Sequence, residues 1–195
     1  MHRLALFAVL FGACTSDSVD SNEQARRAYL GLDPSIGKSL NLGFAGFNAA
    51  NSANIPTQMS NGDLTGKLSI SGQVDQGSSA NKQMRLVVGL VAYSDGPFEI
   101  DAAHDTIDIT YDTDATAAPA LDLSLKNIPT GTLTGTLTGT YHLTGALSGD
   151  VVLNLAITGT MADGGNGAVL RAAGSTTITG TATQGNGSYD VDVTL

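Results

Sequence analysis

From Asp63 to Leu195 apolar residues recur at every second position, and a period of two predicts β-strands with one buried face. Leu64, Leu68, Ile70 and Val74 form the first run, with Gly66 and Gly72 on the apolar side. MRLVVGLVAY, residues 84–93, is more continuously apolar and predicts a strand buried on both faces. Ile107, Ile109 and Tyr111 alternate next, then Leu121, Leu123 and Leu125, and finally Tyr189, Val191, Val193 and Leu195. Between these runs lie turn signals: DQGSSAN, SDGP, DATAAP and NIPTG, with ADGGNG and QGNG reading as hairpin connections.

The tract TGTLTGTLTGTYHLTG, residues 130–145, resembles a four-residue repeat. Its odd positions alternate leucine with glycine (Leu133, Gly135, Leu137, Gly139), while Thr132, Thr134, Thr136, Thr138 and Thr140 fill the even ones. The repeat is therefore strand alternation rather than disorder. The same parity continues through Val151, Leu153, Leu155 and Ile157. One strand of some 30 residues would stretch about 100 Å, against a radius of gyration near 16 Å for a compact chain of this length. A turn must lie between Leu143 and Asp150, and the unbroken parity predicts an odd-length loop or a bulge there.

Before Asp63 the period is helical as far as Phe47, and NAANSANIPTQMSNGD, residues 48–63, reads as a loop. Ser21 with Gln24, and Asp20 with Glu23, read as capping boxes for a short helix to Leu30 closed by Gly31. Asp33 and Pro34 read as the N-cap and first position of a second helix, with Ile36, Leu40, Phe44 and Phe47 on one face around Gly43. Glycines facing into the sheet bend it and admit another backbone. Gly43 is therefore expected to lie against the strands that carry Gly135, Gly139 and Gly145.

The expected fold is mainly β: an antiparallel curved sheet, sandwich or open barrel of about 8–10 strands, with one or two N-terminal helices packed on or in it. One domain spans residues 23–195, behind a tether over 14–22 and a leader over 1–13.

Composition narrows the function. Charged residues make up 14% and tryptophan is absent, an unusual balance for an enzyme of 195 residues, while 42% hydrophobic residues exclude a disordered chain. A net charge of -9 repels nucleic acid, which is excluded as a partner. Ten aromatics are too few for the two girdles of a membrane-spanning barrel.

The leader MHRLALFAVLFGACTSD has a basic start, a short apolar run and small residues before the only cysteine, Cys14. Phe11-Gly12-Ala13-Cys14 resembles the lipobox of bacterial lipoproteins, with Phe11 where that family usually carries leucine. The resemblance covers the leader alone. It implies a diacylglycerol on the Cys14 thiol, cleavage before it, acylation of the new amine and anchoring in the cell envelope. Thr15 after the cysteine, in place of aspartate, points to the outer membrane.

Catalytic motifs are few and incomplete. GLDPSIGKS spaces its glycines one residue too far apart for a phosphate loop, and Ser35-Ile-Gly-Lys38 lacks the companion elements of penicillin-binding enzymes. His104, Asp108, Asp112 and Asp114 are expected on one face of a solvated edge strand, spread too widely for one metal ion; only Asp112 and Asp114 lie near enough to share calcium. His142 is expected at the surface. No cofactor and no catalytic residue is assigned. The expectation is a non-catalytic, lipid-anchored envelope protein, structural or binding in role. The alternatives are a carrier with an apolar cavity beneath the helix, and an adhesin or glycan binder using the threonine face, Thr132 to Thr140.

Overall fold

The computed structural model describes residues 17–195. Two helices, α1 (Asn22–Leu30) and α2 (Asp33–Ala49), precede the strands. These are β1 (Asn54–Asn61), β2 (Thr65–Val74), β3 (Lys82–Ser94), β4 (Phe98–Glu99), β5 (Thr106–Ile107), β6 (Ile109–Asp112), β7 (Ala120–Lys126), β8 (Thr132–Gly145), β9 (Gly149–Gly165), β10 (Ala168–Arg171), β11 (Thr177–Gln184) and β12 (Gly187–Thr194).

Ten strands form one antiparallel sheet in the order β1-β2-β3-β6-β8-β9-β11-β12, with β7 between β3 and β8 and β10 beside β9. Strands β4 and β5 make a separate hairpin. Inward side chains from β2 through β12 enter one core with Ile36 and Leu40 of α2, so the sheet curls around the helix. At its two ends, β1 and β12 each pair with a single neighbour. Helix α2 packs on β1 and β2, and α1 packs on β12. The fold is the mainly-β curved sheet with packed N-terminal helices that the periodicity predicts.

The turn inside the long alternation falls at residues 146–148. Leu143 pairs with Gly149 and Thr132 with Thr160, so inward residues face inward residues along the whole β8–β9 ladder and parity is conserved. Ser21 caps α1, accepting from the Gln24 amide at 3.3 Å, and Gln24 Oε1 accepts from the Asp20 amide at 3.0 Å. Glu23 instead pairs with Arg26 and Arg27, both at 2.8 Å. Its Arg26 contact, with help from Arg27 and against the cost of partial burial, lowers its pKa to about 2.

Several expectations are corrected. Within the stretch expected as a loop, Asn54–Asn61 forms β1, an edge strand that pairs with β2 because its backbone is hydrogen-bonded there despite its polar side chains. Asp33 does not cap α2; Leu32 occupies that position, and the Asp33 carboxylate turns to Arg171 of β10. The buried face of α2 is Ser35, Ile36, Ser39, Leu40, Gly43 and Gly46, which leaves Phe44 and Phe47 at its margin, half-buried. The Lys82 ammonium lies 4.8 Å from the centre of the Phe47 ring. Gly43 faces side chains of β3, not the glycine-bearing strands: a Cβ there would sit 2.7 Å from Met84 Sδ and 3.6 Å from Leu86 Cδ1. The glycine of β8 serves a different neighbour, since a Cβ on Gly135 would collide with the Asp122 carbonyl of β7. Inward glycines thus let strands of one sheet approach across a sharp bend, and the helix lies elsewhere.

Strand β3 is buried on one face only. Val87 and Val91 are 44% and 64% exposed, because among the described residues no second layer of strands or helices covers them on the convex side of the sheet. The run from Ile107 to Tyr111 breaks at Asp108, which accepts from Ser94 Oγ at 2.6 Å; Ile107 joins the small hairpin while Ile109 and Tyr111 stay in the sheet. Strand β6 is not an edge, for it pairs with both β3 and β8. The segment expected as a tether is partly docked: Asp17 bridges Leu147 and Val19 is 2% exposed.

A cluster of polar side chains fixes α2 against the β1–β2 turn. Lys38 Nζ donates to Asp63 Oδ1 at 2.8 Å and Asp95 Oδ1 at 2.5 Å, and Tyr93 Oη donates to Asp95 Oδ2 at 2.5 Å. Burial pushes the Asp95 carboxyl up, but Lys38, Tyr93 and the Asp63 amide together hold it below the usual carboxylate range.

Candidate outer-face binding surface

Strand alternation sends every second side chain to the convex face, and cross-strand register decides which of them become neighbours. On β8, Thr132, Thr134, Thr136 and Thr138 are exposed and Thr140 is partly so. The ladder to β9 sets Thr132 opposite Thr160, Thr134 opposite Thr158, Thr136 opposite Ala156, Thr138 opposite Asn154 and Thr140 opposite Val152. Strand β11 continues these rows with Thr177 beside Thr158, Thr179 beside Ala156 and Thr181 beside Asn154. Thr194 of β12 lies beside Thr177, and Ser124 of β7 lies beside Thr134.

Ser124, Thr134, Thr158, Thr177 and Thr194 therefore form one uninterrupted row of hydroxyl side chains across five adjacent strands. At about 4.8 Å between strands the row spans about 19 Å, and neighbouring rows along a strand stand about 6.7 Å apart. Each hydroxyl both donates and accepts a hydrogen bond. Charge stands around the row: Asp122 and Lys126 flank Ser124 on β7, Asp190 and Asp192 lie along β12 below Thr194, and Asp150 lies at the start of β9. A depression of about 320 Å³ opens where the row meets β3, lined by Gln83, Asp122, Ser124, Thr134 and Thr136.

The chain matches no protein-family model, no curated protein and no solved structure. The reading of its function rests on its own geometry.

The other sequence-derived candidates fall at separate places. Cys14 lies outside the described residues. His104 contacts Glu99 at 2.9 Å in the exposed β4–β5 turn. Asp112 accepts from the Ala92 amide at 2.7 Å, replacing a strand bond where β3 bulges. Asp114 folds back on Thr116, accepting from its amide at 2.7 Å and its hydroxyl at 2.8 Å, and these bonds lower its pKa. With their carboxylates committed to different backbone segments, Asp112 and Asp114 form no shared cation site, and among the described residues no cluster has the arrangement a metal ion needs. His142 sits on the outer face as expected, 2.6 Å from Asp150 of β9. The partners on β9 were the part missed from the sequence. Their signal was present in the even positions Thr158 and Thr160, but only register joins them to β8.

Proposed function

We propose that this is a non-catalytic, lipid-anchored protein of the bacterial cell envelope, held through Cys14, that binds glycan with the hydroxyl rows of its outer sheet face. The observation that carries the binding reading is the row Ser124–Thr134–Thr158–Thr177–Thr194, which sets hydroxyl donors and acceptors at regular spacing across the outer face, with charged side chains only beside its two ends. Sugar hydroxyls exchange hydrogen bonds with such a surface without needing an ionic partner. The interior supports this choice over carriage of an apolar ligand. Ile36 and Leu40, each 1% exposed, pack within the continuous core and occupy the concave side of the sheet.

The test of binding is cosedimentation of the full chain with whole cells and with insoluble cell-wall glycan. Thr134→Lys combined with Thr158→Lys fills the row with long cationic side chains while leaving the inner face untouched, and is expected to abolish sedimentation. Equal sedimentation of the double variant and the parent ends the glycan reading. Anchoring is tested separately: the intact mass of membrane-extracted protein should lack residues 1–13 and carry added acyl mass.

A further inference from the structure

The first described residues are fixed at one end of the sheet. The Asp17 amide donates to the Ala146 carbonyl at 3.1 Å, the Asp17 carbonyl accepts from the Ser148 amide at 2.9 Å, and the Val19 amide donates to Gln184 Oε1 at 2.5 Å. Val19 is buried, so this segment is part of the domain. The β8–β9 turn at residues 146–148, the β11–β12 turn at 185–186 and the β1–β2 turn at 62–64 all lie at this end, because Thr65 pairs with Ser94, Ile109 with Gly145 and Leu143 with Gly149.

Only three Cα–Cα steps separate Cys14 from Asp17, a reach of at most about 11 Å even when fully extended. Resting on the anchor reading above, we propose that this end of the sheet is held against the lipid headgroups, with strands β8, β9 and β11 standing away from the bilayer. Leu64, 59% exposed in the β1–β2 turn, is a large apolar side chain at that end. The exposed carboxylates of Asp63 and Asp150 keep the contact at headgroup depth rather than in hydrocarbon. The threonine rows then occupy successive heights. Thr144 lies nearest the membrane, Thr140 and Thr183 stand farther out, and Thr132 lies about 35 Å along the strand from Leu143. A glycan chain bound along the Ser124–Thr194 row would run parallel to the membrane, above it.

The experiment uses the full chain purified with its native lipid in vesicles of phosphatidylethanolamine and phosphatidylglycerol that contain a nitroxide-headgroup lipid. Because Cys14 is the only cysteine and its thiol is consumed by the lipid, one introduced cysteine takes a fluorophore uniquely. Asn186→Cys marks the anchored end and Ser78→Cys the opposite end, both at exposed turns. Quenching of the Asn186 probe is expected to exceed that of the Ser78 probe several-fold. Inserting about 15 Gly/Ser residues between Ser16 and Asp17 adds a mean reach of about 20 Å and is expected to erase the difference. Equal quenching of the two probes in vesicle-bound protein without the insert overturns the orientation alone. Fluorophore uptake by the unsubstituted protein, through a free Cys14, overturns the anchor and the orientation with it.

Discussion

Asp33, at the start of α2, grips Arg171 of β10 through two contacts, Nη1 to Oδ1 at 2.8 Å and Nη2 to Oδ2 at 2.6 Å. Both side chains are largely buried, and Tyr29 Oη adds a third bond to Asp33 at 2.5 Å. The pair ties α1 and α2 to β10, the short strand beside β9. Removing one partner of such a pair strands the other charge, so Arg171→Ala is expected to cost about 3 kcal/mol in urea unfolding. Arg171→Met with Asp33→Asn should cost clearly less than the sum of the two single changes. Additive losses would show that the pair is not the unit that holds these elements.

Gly37 and Gly43 share a helix but not an environment. A Cβ on Gly37 meets none of the described residues within 4 Å, whereas one on Gly43 meets Met84 Sδ at 2.7 Å. Gly37→Ala is therefore expected to stabilise by up to about 1 kcal/mol through helix propensity. Gly43→Leu should destabilise by about 1–3 kcal/mol, because Met84 and Leu86 are already close-packed. Thermal melts of the two variants read opposite signs; a stabilising Gly43→Leu would place α2 away from β3.

Burial raises the pKa of Tyr29, Tyr93, Tyr111 and Tyr141, and the carboxylates Asp33 and Asp95 push Tyr29 and Tyr93 up further. A raised folded pKa contributes stability that is complete below the unfolded value near 10 and lost as pH rises above it. With four such groups, stability falls progressively more steeply as pH rises through and above 10. Phenolate absorbance from these four tyrosines should rise in one step together with loss of the far-ultraviolet β signal. A gradual rise at intact circular dichroism would contradict their burial.

Two of those tyrosines differ in their hydroxyls. Tyr111 Oη donates to the Ala28 carbonyl at 2.9 Å and so ties β6 to α1, whereas the buried Tyr141 Oη has no partner among the described residues. Tyr111→Phe is expected to cost about 1 kcal/mol, and Tyr141→Phe to be neutral or stabilising by a similar amount. Denaturant midpoints compared between the two variants decide it; an equal loss would mean that Tyr141 Oη is satisfied.

The strands were legible wherever leucine, valine or isoleucine held parity. Leu121, Leu123 and Leu125, or Val151 through Ile157, read inward in the sequence and are inward in the fold. Legibility failed where a single long-range side-chain contact outweighs pattern. Asp108 takes Ser94 and splits one expected strand into two. Asp33 finds Arg171, 138 residues away, and abandons the cap. Phe44 and Phe47 have the right spacing for the core face, yet the small face of Ser39, Gly43 and Gly46 sits closer to the sheet and turns the phenylalanines to the margin.

The sequence by itself determined the periods, the two helices, the turn near residue 147 and the outward direction of Thr132, Thr134, Thr136, Thr138 and Thr140, because each follows from local geometry within a few residues. Tertiary structure alone decided which strands are neighbours. The outward positions of β8 and β11, and Thr158 and Thr160 of β9, carry hydroxyls in any pairing, but the Ser124–Thr194 row exists only in this register, where Thr134 meets Thr158 and Thr158 meets Thr177. It also decided that Asp17 docks beside Leu147. Pairings across tens of residues are selected by the burial of the whole inner face at once, and no local window of sequence contains that sum.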